Sequence, residues 1–471
     1  MLHRVIIFAF VSITFLVGCS NSQTSEVKQN DNIDSTKLDT IMPELVSFNE
    51  HIADIIYTKC ASCHRPGESG PFSLLNYKDV YRRKKTIVKV THSGYMPPWP
   101  ADRTYSSFVG ELYLTDYEKA LIKKWVDDGA VEGPEEMKKA IPNFPTGSQI
   151  GKPDLVIRFP KDYKIEGNNK DHYVIMKIPY EIPADKYVRL IEFVPGNRKR
   201  VHHVNGYMVV YEPGKKKSLH TGEYFVNNYE TDIKTVWKKL DILNDDGSYP
   251  LRIPSATNYL PGVVPAVYPE GVGGFLMKKQ GAILLNDIHY GPTSKNEYDN
   301  SYFNVFYSDA APKRRFKEFQ LGTYGVSEIK PKLMIPPDSV KTFTTEYTVQ
   351  EDISLLTINP HMHLLGKSFV AYVVSTDGNI IPLIRINNWD FRWQYFYTFK
   401  KMLKITKGST IHVKATFDNT DKNPFNPYKP ARWVGEREGS MSTKDEMLQF
   451  IVTYLPYQNG DENISLENYK N

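Results

Sequence analysis

Cysteine is nearly absent from this chain. The 471 residues contain three, Cys19, Cys60 and Cys63. None follows residue 63, so the long remainder has no disulfide and must be stabilised by packing and hydrogen bonding. A structural zinc site is excluded around Cys60 and Cys63, because no further cysteine pair and no H-x3-5-H partner accompanies them. Long apolar runs are scarce too. The stretch from Val5 to Val17 is too short for a comfortable membrane span. Neither sign of charge dominates: 59 Lys and Arg against 54 Asp and Glu leave +5, spread along the chain, and give no footprint for nucleic acid. Internal repeats are missing. What is plentiful is aromatic and turn-forming, with 31 Tyr, 31 Pro and 29 Gly, a composition that leans toward β-structure. The length calls for two or three domains.

The N-terminus reads as a targeting segment. Arg4 supplies a positive start, the apolar run follows, and Leu16, Val17, Gly18 and Cys19 resemble the lipobox of bacterial lipoproteins. The resemblance implies that Cys19 is acylated and that the body is exported and lipid-anchored. An ordinary signal peptide is the alternative. Ser20 after the cysteine is compatible with sorting to the outer membrane, facing the periplasm or the cell surface. Residues 1–19 are therefore the signal segment, and the polar stretch 20–43 is a flexible tether.

Cys60, Ala61, Ser62, Cys63 and His64 form C-x-x-C-H, the pattern for covalent attachment of one haem c through two thioethers, with the histidine as proximal ligand. Leu45, Phe48, Ile52, Ile55 and Ile56 repeat at helical spacing before it, and a second helix is expected over 77–90. A Pro-rich loop follows, and Met96 within it is the favoured second axial ligand, with His92 as the competitor. Thr115 and Glu118 make a capping box ahead of the stripe Leu121, Ile122, Trp125 and Val126. Residues 44–132 are thus expected to be a small all-α domain that resembles a class I cytochrome c, and 133–153, rich in Pro and Gly, a linker.

From residue 154 the apolar period changes to two. Strands are expected over 155–159, 173–178, 187–194, 204–211, 282–290 and 303–307, then 342–349, 369–374, 393–399, 410–417 and 447–454. These predict two all-β domains, 154–310 and 311–471, each a jelly-roll-like sandwich or a barrel. Three histidine groups stand out: His202 with His203, His289, and His361 with His363. Imidazole is the commonest ligand for copper, zinc and iron. His361 and His363 share a strand face, whereas His202 and His203 can serve one metal only if the strand ends or bulges there. His172 and His220 read as surface-loop residues, and His412 as strand surface.

Four motifs occur in order: Val201-His202-His203-Val204, Asp287-Ile288-His289-Tyr290-Gly291, Pro360-His361-Met362-His363-Leu364-Leu365-Gly366-Lys367 and Asp445-Glu446-Met447. Together they resemble the copper type II ascorbate-dependent monooxygenases, the family of the peptidylglycine α-hydroxylating and dopamine β-type enzymes. The resemblance implies two coppers, one held by His202, His203 and His289, the other by His361, His363 and Met447, with chemistry at the second. It implies a small-molecule or peptide-like organic substrate hydroxylated at an activated C–H bond, dioxygen, and an external electron donor, which in the family looks like ascorbate. The C-x-x-C-H motif adds a separate expectation, that the haem relays electrons to the copper held by His202, His203 and His289. Two departures matter. The β region has no cysteine, and Asn359 stands where the peptide-amidating enzyme has an arginine for a carboxylate. The alternatives are a non-catalytic periplasmic electron-transfer or copper-binding lipoprotein, and a binding sandwich with incidental histidines.

Overall fold

Alternating apolar residues make strands from Leu155 to Pro456, and these assemble into two stacked pairs of antiparallel sheets. The computed structural model describes residues 42–145, 147–227, 232–437 and 443–467. The signal-like run and Cys19 lie outside the described residues. In the first pair a four-stranded sheet faces a five-stranded one. Ile157, Phe193 and Phe303 from one and Ile178, Met208 and Ile283 from the other share a single core. In the second pair the same division recurs. Leu321, Ile358 and Phe450 meet Phe343, Phe369 and Phe417 in another core.

The N-terminal segment departs from expectation. It contains a π-helical turn Phe48–Ile52, α1 (Ala53–Lys59), α2 (Tyr77–His92) and α3 (Asp116–Asp127). The capping box of Thr115 and Glu118 forms at the start of α3. Yet no small all-α cytochrome domain is evident, and the molecule is mostly β, 35 % strand against 13 % helix. The physical reason lies between α2 and α3. Ala101 and Phe108 are buried in the core of the second sheet pair and form bridges with Ile386 and Phe399. The segment between the helices is therefore part of the second sheet pair, and Glu44–Asn471 forms one compact unit instead of a separate helical domain. No helix among the described residues is long and apolar enough to cross a membrane.

The strand expected over 393–399 runs instead from Tyr397 to Ile405. Residues 389–396 are held irregular by their own side chains: Arg392 pairs with Asp390, and the Gln394 amide donates to the Phe391 carbonyl at 3.0 Å. The strand Ile353–His361 escapes an alternation reading because both its faces are buried.

Candidate functional site

Three neighbouring strands, His172–Glu181, Gln280–Tyr290 and Val201–Val210, put Tyr173, His289 and His203 in register on one sheet. A bulge between Val201 and His203 makes His202 the extra residue. Its ring therefore reaches the same side as its neighbour's and packs edge-on to His289 at 4.7 Å. A Cβ at Gly291 would come within 2.7 Å of His202 Nε2, so the bare glycine leaves this ring its place.

Two carboxylates orient this cluster. His203 Nε2–H donates to Asp287 Oδ2 at 2.8 Å, and His289 Nε2–H donates to Asp171 Oδ1 at 2.8 Å. A carboxylate can only accept, so each ring's lone pair is assigned to Nδ1. Both Nδ1 atoms are buried without a partner. Burial pushes the Asp287 carboxyl up, but the charges of His203, His289 and His361 and the His203 hydrogen bond outweigh it and keep it below the ordinary value. Burial, then the charges of His289 and His203, lowers His202 to about 4. His289 is lowered chiefly by burial.

The second cluster has the opposite tautomers. His361, at the end of its strand, donates from Nδ1 to Gln394 Oε1 at 2.5 Å. His363 donates from Nδ1 to the Asp445 carbonyl at 2.9 Å. The lone pairs are assigned to the ring tips, Nε2. Burial and the neighbouring His363 charge lower His361 to about 3, which keeps the ring neutral. The turn after it is fixed by Glu446, whose carboxyl accepts from the backbone N–H of His363 at 3.0 Å and of Leu365 at 2.6 Å. Burial pushes this carboxyl up to about 8, against the pull of those N–H groups. Met447 adjoins Glu446 and is half-buried, just before the strand Gln449–Pro456 whose Gln449 pairs with His361. Segment 445–447 is thereby brought beside His363.

Around C-x-x-C-H, the N–H groups of Cys63 and His64 both donate to the Cys60 carbonyl, and both thiols are free. Burial pushes the Cys60 thiol up to about 12 and raises Cys63 as well. His64 donates from Nδ1 to the Phe72 carbonyl at 3.2 Å, which assigns its lone pair to Nε2. A Cβ at Gly70 would meet His64 Nδ1 at 2.8 Å, so the loop presses on this ring. The half-buried Met96 belongs to a loop docked on the second sheet pair: Arg392 donates to Tyr95 OH at 3.3 Å, and Tyr395 OH to the Pro98 carbonyl at 2.6 Å. His92 is exposed at the end of α2, its ring turned to the Val88 carbonyl.

Among the described residues, no three or more His, Cys, Asp or Glu side chains already converge on a point able to hold a metal; the imidazoles pack ring against ring. The donor chemistry nevertheless fits copper. Oriented imidazoles, two of them with buried and unpartnered Nδ1 atoms, are the form a metal takes up. The free thiols and the Phe72-anchored histidine likewise fit a haem.

Of the other histidines, His220 is exposed and His412 is half-buried on its strand. His172 differs from expectation. It opens a strand that begins one residue earlier than the apolar alternation suggests, so it is 5 % exposed rather than in a surface loop, and its Nε2 has no partner. Sequence reasoning also missed Asp171, Gln394, Phe391 and the role of Asp287. The last was readable, since Asp287 and His289 are two apart on one strand and share a face. The others are distant in sequence from the rings they serve.

Residues 320–467, about a third of the chain, match the family model described as copper type II ascorbate-dependent monooxygenase, C-terminal domain. That segment contains His361, His363 and Met447 and points to a copper-dependent oxidoreductase acting on a small molecule with dioxygen. No curated protein matches the chain. Among solved structures, an allantoicase is 9 % identical over 52 % of this chain and 73 % of that one, with a TM-score of 0.15. The infectious bursal disease virus VP2 subviral particle is 10 % identical over 68 % and 75 %, with a TM-score of 0.17. Both scores are far below those of a shared fold.

Proposed function

We propose that the chain is a haem- and copper-dependent monooxygenase that hydroxylates an activated C–H bond of an organic molecule. Its two coppers would be held by His202, His203 and His289 and by His361, His363 and Met447. One covalent haem would be held by Cys60 and Cys63, with His64 and Met96 as axial ligands. The observation that carries this reading is the pair of buried imidazole clusters with opposite, fixed tautomers, the second inside the matched family segment. When bound, copper supplies one-electron chemistry with dioxygen, and haem supplies electrons from an external donor. The chain's own residues aim the imidazole lone pairs through Asp287, Asp171, Gln394 and the Asp445 carbonyl. A thioether beside two imidazoles favours Cu(I), which suits Met447 to the centre that meets dioxygen. Acylation at Cys19 would hold the exported enzyme on a membrane.

Copper-reconstituted protein is expected to bind about two coppers per chain, and Met447→Ala about one. Oxygen uptake should match product formation. A ratio near zero overturns the reading. Full copper loading with no hydroxylation of any substrate favours instead a copper-binding electron-transfer protein. Cys60→Ser with Cys63→Ser should abolish covalent haem, measured as the pyridine haemochrome spectrum and the mass of the chain, and leave the copper count unchanged. If haem is the electron source, that variant turns over only when a soluble reductant such as ascorbate is supplied.

A further inference from the structure

The two histidine clusters come from different sheet pairs, and one side chain stands between them. The Phe391 ring lies edge to face with His203 of the first cluster at 6.1 Å and 89°, and with His363 of the second at 5.7 Å and 87°. It is 9 % exposed. The backbone on either side of it is tied to the second cluster. Trp389 Nε1 donates to the His363 carbonyl at 3.2 Å, and Gln394 donates to the Phe391 carbonyl while accepting from His361. Phe391 thus touches both clusters through its ring and orients His361 through its carbonyl. It sits in an irregular connection between the strands Ile380–Ile386 and Tyr397–Ile405, where a side chain can turn aside without breaking a ladder.

The two nearby groups that could hold a carboxylate are already committed. Asn359 donates to the Tyr395 carbonyl at 2.9 Å and is buried. Arg392 is held by Asp390 and faces Tyr95. Neither is placed to bind a substrate carboxylate between the clusters, so an anionic group there would lose its hydration without compensation.

We propose that Phe391 is a positioning residue that fills the space between the two histidine clusters, and that an uncharged, ring-sized part of the substrate reaches the second cluster by taking this ring's place. The substrate half rests on the monooxygenase reading; the packing half does not.

The test uses the full chain without metal. Diethyl pyrocarbonate modifies accessible neutral imidazoles, and mass spectrometry reads the rate at His203 and His363 separately. Both should react slowly in the wild type. Phe391→Leu, Phe391→Val and Phe391→Ala should speed both sites in that order, Ala by about tenfold or more, because the gap grows as the side chain shrinks. Near-UV circular dichroism identifies the variants that keep the fold, and the order among those decides the outcome. An apolar gap of ring size takes up benzene, so benzene should return the folded variant with the widest gap toward the wild-type rate. No gradient among the folded variants overturns the packing half. A gradient that benzene does not reverse overturns the replacement by an uncharged ring. Copper binding plays no part in this assay, so a copper ratio near zero would sink the proposed function separately.

Discussion

Asp287→Ala lowers the copper affinity of the His202, His203 and His289 cluster by about 10- to 100-fold and leaves the His361, His363 and Met447 cluster unchanged. The expectation follows from which nitrogen carries the proton. In the wild type the Asp287 carboxylate takes the Nε2–H of His203, and the ring lone pair sits on the buried, unpartnered Nδ1. Without the carboxylate the ring can place its proton on Nδ1 instead. Binding copper must then move that proton and fix the ring. The lost anion also makes the imidazole a weaker donor. Asp287→Asn should lose less, because an amide oxygen can still accept from Nε2–H. Asp171→Ala should act on His289 in the same way, through the 2.8 Å contact it removes. The second cluster is oriented by Gln394 and by the Asp445 carbonyl, neither of which these changes touch. Competition with a copper chelator, repeated in a Met447→Ala background, isolates the first cluster. Wild-type affinity in Asp287→Ala would mean that the Nδ1 atoms are not the ligating atoms.

How far the sequence carried depended on how local the signal was. The capping box at Thr115 and the change to period two at residue 154 are local, and each formed in place. His202 and His203 can face one side only where their strand bulges, and the register shift between Val201 and His203 supplies that bulge. The separate helical domain failed for a reason that no local pattern carries. Ala101 and Phe108 look like ordinary apolar residues of a small helical protein, and only the tertiary structure puts them in the core of a sheet. The orienting residues were hidden the same way. Gln394 is 33 residues from His361 and Asp171 is 118 from His289, and neither side chain has a local pattern to mark it. Met447 was reached only through its motif.

The largest stability effect is expected at Asp461. Its carboxylate, 3 % exposed, accepts from Arg314 Nη1 and Nη2 at 2.6 Å each, from Gln458 N at 3.0 Å, and from the Ser354 hydroxyl. Arg314 is exposed over only 12 % of its side chain, also donates to the Pro456 carbonyl, and its backbone joins Gly271 and Gly273. Asp461→Ala leaves this guanidinium buried and unpaired, a loss of about 3–5 kcal/mol at pH 7 by urea unfolding. Removing both charges should cost far less: Arg314→Met with Asp461→Leu replaces the pair by apolar volume and no longer strands a charge. The pH dependence has a definite sign. Burial pushes Asp461 up, but the hydrogen bonds from Arg314, Ser354 and Gln458 and the Arg314 charge hold it below its ordinary 3.8. A depressed folded value means that the unfolded chain binds the proton first. The stabilisation is therefore complete above the ordinary value and is lost as the pH falls through the folded one. The gap between wild type and Asp461→Ala should be full at pH 7 and shrink below about pH 4. A gap that stays constant into acid would mean that the cost of Asp461→Ala comes from lost packing and hydrogen bonds, with no contribution from the ion pair.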